Sequence, residues 1–348
     1  MQRQYMALSG LAMALVVLNH AIHMGLLGLS RLGYPALPDG WRFTLTAVQA
    51  LGAFAVPIFF VVSGSFMAYA ARSAPRLSAS FVWKSVRHIV WPYVVWSLLY
   101  YVLMAVHQGE RYSALGYLKN LAVGYPFHFV PLLIAFYLLS PLLIPLAWRF
   151  SWLLLPAFGL YQLFLLALRE PGLFGFAFPA QMDVLFPLVL GNPLADWAIY
   201  FPMGLVFGLH AARWKPRLLS YRWALVAATI LLFGAGLLDV AGWLEVPWAR
   251  YLCPVPLMFV LPTIERKAIP AVGQLETVGK RSYGLYLTHL IVMNLVLIAL
   301  ELIGGQTVVM VVLIFPLLLV AGLLVPMLLM GSFQQRGATR KVYRYVFG

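Results

Sequence analysis

Long uninterrupted apolar runs are the feature that most restricts the fold of this chain. Residues 308–330 read VVMVVLIFPLLLVAGLLVPMLLM, without a single charged side chain. A helix needs about 20 such residues to cross the hydrocarbon core of a bilayer, which is roughly 30 Å thick. Hydrophobic residues make up 63% of the 348 and charged residues 10%, outside the range of soluble domains. The sequence therefore predicts a multi-pass membrane protein.

The apolar runs do not alternate with polar residues, as the strands of a membrane β-barrel would. We predict an all-α fold of about ten transmembrane helices, in a single domain over residues 1–348. Helices suit lipid because they satisfy their own backbone hydrogen bonds. The predicted spans are 5–27, 44–71, 86–107, 127–147, 152–168, 196–212, 223–243, 248–264, 283–303 and 306–331.

The basic residues predict the orientation of these spans. If both termini lie in the cytoplasm, 18 of the 24 Lys and Arg residues fall in or beside cytoplasmic segments and six fall on the other side. This excess on the cytoplasmic side satisfies the positive-inside rule. The formal charge of +14 is then a topology signal, and the chain has no soluble basic domain for a nucleic acid. We expect a bacterial inner-membrane protein whose basic loops and cytoplasmic tail, residues 332–348, attract anionic membrane lipid.

Cysteine usage limits the chemistry. Cys253 is the single cysteine, which excludes an intramolecular disulfide and a cysteine-based metal site. We expect no metal site and no permanently bound cofactor.

One outer loop, residues 169–197, is too apolar to lie in water and too rich in Pro and Gly to span. We predict an interfacial or re-entrant segment that forms a wall of an extracytoplasmic pocket. Asp183 and Asp196 in this loop are candidates for binding acceptor hydroxyls, although solvated interfacial carboxylates are more common.

Two histidines lie in the first predicted span. An ionisable side chain inside the membrane costs about 2.5–3.5 kcal/mol on insertion scales and usually faces the bundle interior or a polar cavity. His20 lies about 22 Å from the start of its helix, in the outer half of the bilayer. His23, one turn further on, belongs at the outer interface. His20 is therefore a candidate functional residue, with a purely structural histidine as the alternative.

Five segments, in this order along the chain, carry a resemblance to a known family. They are ALSGLAMALVVLNHA, VPIFFVVSGSFMAYAARS, FVWKSVRHIVWPYVVWS, FHFVPLLIAFYLLSPLL and VGKRSYGLYLTHLIV. Together they resemble the acyltransferase-3 family, integral membrane acyltransferases that move acyl groups, often acetyl, from a cytoplasmic acyl donor onto sugars and other acceptors.

The chain departs from the family pattern at two places. The family has an arginine eleven positions before the first-helix histidine and an aspartate three residues earlier, where this chain has Ser9 and Met6. Eleven residues are close to three helical turns, about 16 Å, so the two positions share one face of the helix. A fourth-helix tryptophan is also absent, because Phe129 and Val130 follow His128.

The resemblance implies an O-acetyltransferase that moves an acyl group, most simply acetyl from acetyl-CoA, onto a hydroxyl of a carbohydrate or small molecule. His20 would act as general base, a role typically worth a factor of 10² to 10⁴. The cations would hold the phosphates of the acyl-CoA co-substrate. The donor-binding candidates are Arg72, Arg76, Lys84, Arg87, Lys280, Arg281 and His289. The pocket candidates are Asn19, Ser63, His128, Tyr283 and Tyr286.

Each assignment has a simpler alternative. A cation at a helix end also satisfies the positive-inside rule, and a hydroxyl in the membrane more often joins two helices. For the whole chain, the alternative is a non-catalytic carrier or glycan-handling protein on the same scaffold. A continuous cavity from the basic cluster to His20 would favour the enzyme, and a packed path would favour the carrier. The sequence leaves open the acceptor, the acyl chain length and the oligomeric state.

Overall fold

The apolar runs fold as helices, and all regular elements of the described residues are helical. The computed structural model describes residues 2–72, 77–303, 308–335 and 337–348. The α-helices there are α1 (Gln2–Arg31), α2 (Asp39–Ala50), α3 (Ala55–Ala70), α4 (Ala79–His107), α5 (Ala114–Val123), α6 (Phe129–Arg149), α7 (Ser151–Arg169), α8 (Gly191–Trp197), α9 (Tyr200–Leu209), α10 (Ala211–Val240), α11 (Ala249–Leu252), α12 (Pro254–Val260), α13 (Val272–Gly279), α14 (Ser282–Ile303), α15 (Val308–Gln335) and α16 (Gly337–Val346).

Within these ranges, eight segments are long and apolar enough to cross a membrane. They are Arg3–Arg31, Asp39–Ala70, Ala79–His107, Phe129–Arg149, Ser151–Arg169, Ala211–Val240, Ser282–Ile303 and Met310–Gln335. The helical elements and these eight segments confirm the predictions of an all-α fold and of a multi-pass membrane protein.

The two other predicted spans, 196–212 and 248–264, fold as shorter pieces. The first contains the end of α8 and all of α9, whose ten residues cover about 15 Å. The second contains α11, α12 and a 3₁₀ turn at Leu261–Thr263, with Pro254 starting α12. Ala198 and Ile199 between α8 and α9 have right-handed helical dihedral angles. The structure thus has short helices where the sequence predicts two continuous spans, and the predicted count of about ten is not confirmed.

Helices α3 and α9 pack with their backbones in close contact. A Cβ added at Gly204 would overlap the carbonyl oxygen of Val61, and one added at Gly64 would overlap that of Phe201. Small residues at a helix interface allow such an approach in membranes, where burial of apolar surface gives little driving force. Helix α9 is buried along most of its length and forms the centre of the bundle.

Helix α1 runs through the bundle against α3, α13, α14 and α15. A Cβ at Gly279 of α13 would overlap the carbonyl oxygen of Met6, so these two backbones also touch. Met6 and Gly348 line the same cavity, which places both chain ends at one end of the bundle. We call this the basic end and the opposite one, where His23 and Arg31 lie, the far end.

A break in the second apolar segment lies next to His20. Residues Leu51–Phe54 form a 3₁₀ turn between α2 and α3. Gly52 in this turn allows close approach, since a Cβ there would lie 2.5 Å from Asn19 Nδ2. The Asn19 amide donates a hydrogen bond to the Gln49 carbonyl oxygen at 3.0 Å. A 3₁₀ stretch inside a helix often marks a functional position.

Candidate functional site

His20 of α1 and His289 of α14 face each other in the middle of the bundle, with 5.2 Å between the ring centroids and an interplanar angle of 43°. His289 is fully buried, and its Nδ1 lies 3.2 Å from the carbonyl oxygen of Leu285. Its Nε2 has no hydrogen-bond partner among the described residues. Buried polar atoms without a partner are few in folded proteins, so this nitrogen is a distinctive feature of the site.

A cavity of about 500 Å³ lies beside the His20 ring. We call it the His20 cavity. Three predicted pocket residues, Asn19, His128 and Tyr286, line it together with His20. The walls come from α1, α2, the 3₁₀ turn, α3, the segment before α6, the start of α6, α8 and α14. The structure thus brings together residues that are far apart in the sequence.

A smaller cavity of about 290 Å³ continues toward the far end. It shares His20 and His128 with the His20 cavity and is also lined by His23, Arg31 and Asn294. His20 therefore contacts space that leads to the far end of the bundle.

A third cavity, of about 460 Å³, opens from the basic end. Four residues that the sequence predicts for the site, Ser63, Lys280, Tyr283 and Tyr286, line this cavity. Ser9 lines it as well. We call it the Ser9 cavity. Ser9 and Lys280 thus border the same space, at the position where the family has its arginine.

The His20 cavity and the Ser9 cavity share two lining residues, Phe129 and Tyr286. These rings are in edge-to-face contact, with centroids 4.7 Å apart and an interplanar angle of 89°. The Tyr286 ring also lies 5.7 Å from that of His289. The Phe129 and Tyr286 rings therefore lie on the boundary between the Ser9 cavity and the His20 cavity.

A fourth cavity, of about 730 Å³, lies at the surface of the basic end between α4 and α16. We call it the basic pocket. Lys84 and Arg87, predicted to lie on one helical face, both line it. His88 lines both this pocket and the Ser9 cavity. From the basic pocket to the far end, each cavity therefore shares at least one residue with the next.

The other predicted donor-binding residues lie elsewhere. Arg281 donates to Gln334 Oε1 at 2.8 Å and joins α14 to α15. Arg72 lies over the ring of Tyr69, 5.1 Å from its centroid. Arg76 lies outside the described residues. His289 borders His20 in the interior and not the cations at the basic end.

The two predicted acceptor-side carboxylates differ from each other. Asp196 accepts a hydrogen bond from Arg169 Nη2 at 2.8 Å, and both side chains are partly buried. Asp183 lies exposed in the 3₁₀ turn Ala180–Leu185 of the outer loop. Tyr283, placed among the pocket hydroxyls, donates to the Ile89 carbonyl oxygen at 2.6 Å and so also fixes α14 to α4.

A family model described as an acyltransferase domain matches residues 7–331. The chain belongs to the acyltransferase-3 family. This confirms the resemblance seen in the five sequence segments and makes the protein a membrane acyltransferase by family. No curated protein and no solved structure matches the chain. The matched range runs from α1 into α15, so α16 lies beyond the family domain of this acyltransferase.

Sequence reasoning missed several residues that line these cavities. Asn294 has its amide in the apolar α14 and lines the far-end cavity, a signal of the same kind as that of His20. Trp197 closes the His20 cavity from α8, and nothing in its local sequence indicates this. Three cations of α16 line the basic pocket, whereas the sequence indicated only a basic tail.

Proposed function

We propose that this acyltransferase moves an acyl group, most simply acetyl, from an acyl-CoA donor at the basic end to a hydroxyl of a glycan or small molecule. We further propose that the basic end faces the cytoplasm and that the acceptor enters from the far end. The observation that carries the proposal is the series of three cavities that leads from Lys84 and Arg87 to His20. The basic pocket shares a lining residue with the Ser9 cavity, and the Ser9 cavity shares two with the His20 cavity.

The donor side is supported by the chemistry of the basic pocket. Lys84 and Arg87 supply cations that bind phosphate through charge-assisted hydrogen bonds. The extended arm that carries the thioester would pass His88 and Ser9 and reach the ring of Tyr286. The donor and acceptor then meet beside His20 from opposite ends of the bundle.

The transfer step uses His20 as a general base. The oxygen of the acceptor hydroxyl bonds to the thioester carbonyl carbon, and the imidazole takes the hydroxyl proton. The carbon–sulfur bond then breaks, the acyl ester stays on the acceptor, and the imidazolium returns the proton to the departing thiolate. Atoms and charge balance without a metal or a redox partner.

His289 would position His20 for this step. A carbonyl oxygen only accepts hydrogen bonds, so the contact between His289 Nδ1 and Leu285 puts the ring proton on Nδ1. In a neutral imidazole Nε2 is then an acceptor, and this atom lacks a donor among the described residues. The His20 ring is the polar neighbour that can supply an N–H, which would orient its second nitrogen toward the acceptor.

Lys280 is our candidate for the cation that the family carries on its first helix. Ser9 occupies that helical position and is buried, while Lys280 lines the same cavity from the loop between α13 and α14. The positive charge would thus come from a different element at the same place along the donor path.

The contact between Phe129 and Tyr286 favours the second candidate function, a carrier that binds ligands without chemistry. These rings pack edge to face on the boundary between the two cavities. In the enzyme the Tyr286 side chain must rotate to admit the thioester, whereas in a carrier the passage stays closed.

One experiment separates the two functions. The purified full chain in lipid nanodiscs receives acetyl-CoA labelled in the acetyl group and an extract of cell-envelope glycans and metabolites. The enzyme predicts release of free thiol and labelled acetyl esters in the extract, identified by mass spectrometry. Comparison of extracts from cells with and without the gene then names the acceptor. Absence of thiol release in the presence of the complete extract would contradict the acyltransferase proposal.

A further inference from the structure

Helix α16 lies against the bundle instead of extending as a basic tail. Phe347, just after this helix, is buried, with ring centroids 5.7 Å from Trp96 and 5.4 Å from Phe333. Trp96 Nε1 donates a hydrogen bond to the carbonyl oxygen of Val346 at 2.6 Å. The side chain of Phe347 therefore anchors α16 on α4 and α15.

This anchoring brings cations from two distant parts of the chain around one space. Lys84 and Arg87 of α4 line the basic pocket, and α16 adds Arg340, Lys341 and Arg344. Among the described residues, no carboxylate lines the pocket and no salt bridge involves these five side chains. Five like charges around a cavity of about 730 Å³ repel one another unless an anion with several charges occupies it.

Aromatic rings border the same pocket. Trp91 and Tyr345 both line it and are about half exposed, at 49% and 51%. Exposed aromatic faces stack on nucleobases, and such stacking does not require a particular base. The combination of clustered cations and open aromatic faces fits a ligand that has both phosphates and a base.

We propose that α16 completes a binding site for a phosphorylated adenine nucleotide between itself and α4. The proposal rests on the proposed function, in which this nucleotide is the head of the acyl-CoA donor. It adds that half of the site comes from a helix outside the residues matched by the family model, 7–331. His88, which borders both the basic pocket and the Ser9 cavity, lies at the point where the donor arm would leave the nucleotide site.

An anionic lipid headgroup offers the same phosphate chemistry and is the other source of an anion at this end. The aromatic faces favour the nucleotide, because a lipid headgroup supplies no base to stack. The two sources differ in their dependence on membrane composition and on the aromatic residues.

The test measures binding of adenosine 3′,5′-bisphosphate to the full chain in nanodiscs of neutral phosphatidylcholine. The variant combines Arg340→Gln, Lys341→Gln and Arg344→Gln. The matched control combines Arg213→Gln, Lys215→Gln and Arg217→Gln, three exposed cations of α10 that lie outside the basic pocket. Loss of three charged contacts at an exposed site predicts a rise in Kd of about tenfold. The control variant should stay within about twofold of the wild type, and all three proteins should have the same melting temperature.

A second pair of measurements checks the stacking. Trp91→Ala should weaken binding of the bisphosphate nucleotide and leave binding of inorganic pyrophosphate unchanged, because pyrophosphate has no base. Equal losses for both ligands would contradict the nucleotide assignment.

The proposal is overturned if the wild type does not bind the nucleotide, or if the α16 variant binds it as tightly as the wild type. It is also overturned if the α16 variant loses only a response to added phosphatidylglycerol, which would assign the cations to lipid. Failure of the proposed function would give a different result, in acyl transfer and not in nucleotide binding. His20→Ala should retain nucleotide binding, and unchanged acyl transfer in that variant would contradict the mechanism without touching the site on α16.

Discussion

His289 of α14 lies against His20 of α1, with 5.2 Å between the ring centroids, although 268 residues separate them in the chain. The cavity at the far end is lined by His20, and the cavity that opens from the basic end is lined by Tyr286, whose ring lies 5.7 Å from that of His289. A donor held at the basic end and an acceptor entering from the far end would therefore meet at the same imidazole.

Replacement of His289 tests its role in orienting His20. His289→Ala should lower kcat by about ten- to a hundredfold and leave KM for the acyl donor unchanged, because proton transfer is affected and donor binding is not. His289→Gln, which keeps a hydrogen-bonding side chain of similar length, should recover part of kcat. Steady-state kinetics with measured melting temperatures provide the test. A rise in donor KM with unchanged kcat would instead place His289 in the donor site.

Replacement of Lys280 tests the source of the cation near Ser9. Lys280→Gln should raise KM for the acyl donor several-fold, since a charged contact on the donor path is lost. Adding Ser9→Arg to this variant should restore much of the lost affinity, because both side chains border the Ser9 cavity. If the double variant is no better than Lys280→Gln, the two positions do not supply the same charge.

Replacement of Asp196 tests whether this carboxylate stabilises the fold or binds the acceptor. Asp196→Asn removes the shorter of the two carboxylate contacts of the partly buried Arg169, which keeps Glu170 at 3.5 Å, and should lower stability by about 1 kcal/mol. Asp183→Asn, at an exposed position, should leave the melting temperature unchanged. Thermal unfolding in detergent measures both. A normal melting temperature for Asp196→Asn together with a large rise in acceptor KM would assign Asp196 to the acceptor site.

The contact between α3 and α9 should be intolerant of added volume. Gly204→Ala places a methyl group against the carbonyl oxygen of Val61 and should destabilise the bundle by about 1–3 kcal/mol. Gly234→Ala in α10 is the matched control, because no atom lies within 4 Å of the added Cβ. That control should be neutral or slightly stabilising, since alanine favours helix more than glycine does. Equal melting temperatures for the two variants would contradict the close packing of α3 on α9.

The sequence predicted the features that depend on local pattern. Apolar runs of sufficient length indicate membrane helices, and His20 was recognisable because an ionisable group inside the membrane is costly. The spacing of Lys84 and Arg87 was enough to put both on one helical face, where they line a single pocket.

The features that depend on long-range packing were not predictable. Nothing near His289 indicates that it faces His20, and it was assigned to donor binding from its position in a family-like segment. The 3₁₀ turn Leu51–Phe54 interrupts an unbroken apolar run, and the contact with Asn19 that accompanies it comes from another helix. The return of α16 onto α4 depends on Phe347 fitting beside Trp96, which only the folded bundle reveals.

The most direct test of the central claim is acyl transfer by His20→Ala, with His23→Ala as the matched control from the same helix. Both proteins are measured in nanodiscs with labelled acetyl-CoA, the acceptor extract and an adenosine 3′,5′-bisphosphate binding control. We predict that His20→Ala loses transfer by a factor of about 10² to 10⁴ while nucleotide binding persists, and that His23→Ala, which lines the acceptor side, keeps kcat and changes at most the acceptor KM. Wild-type transfer rates in folded His20→Ala would contradict the account.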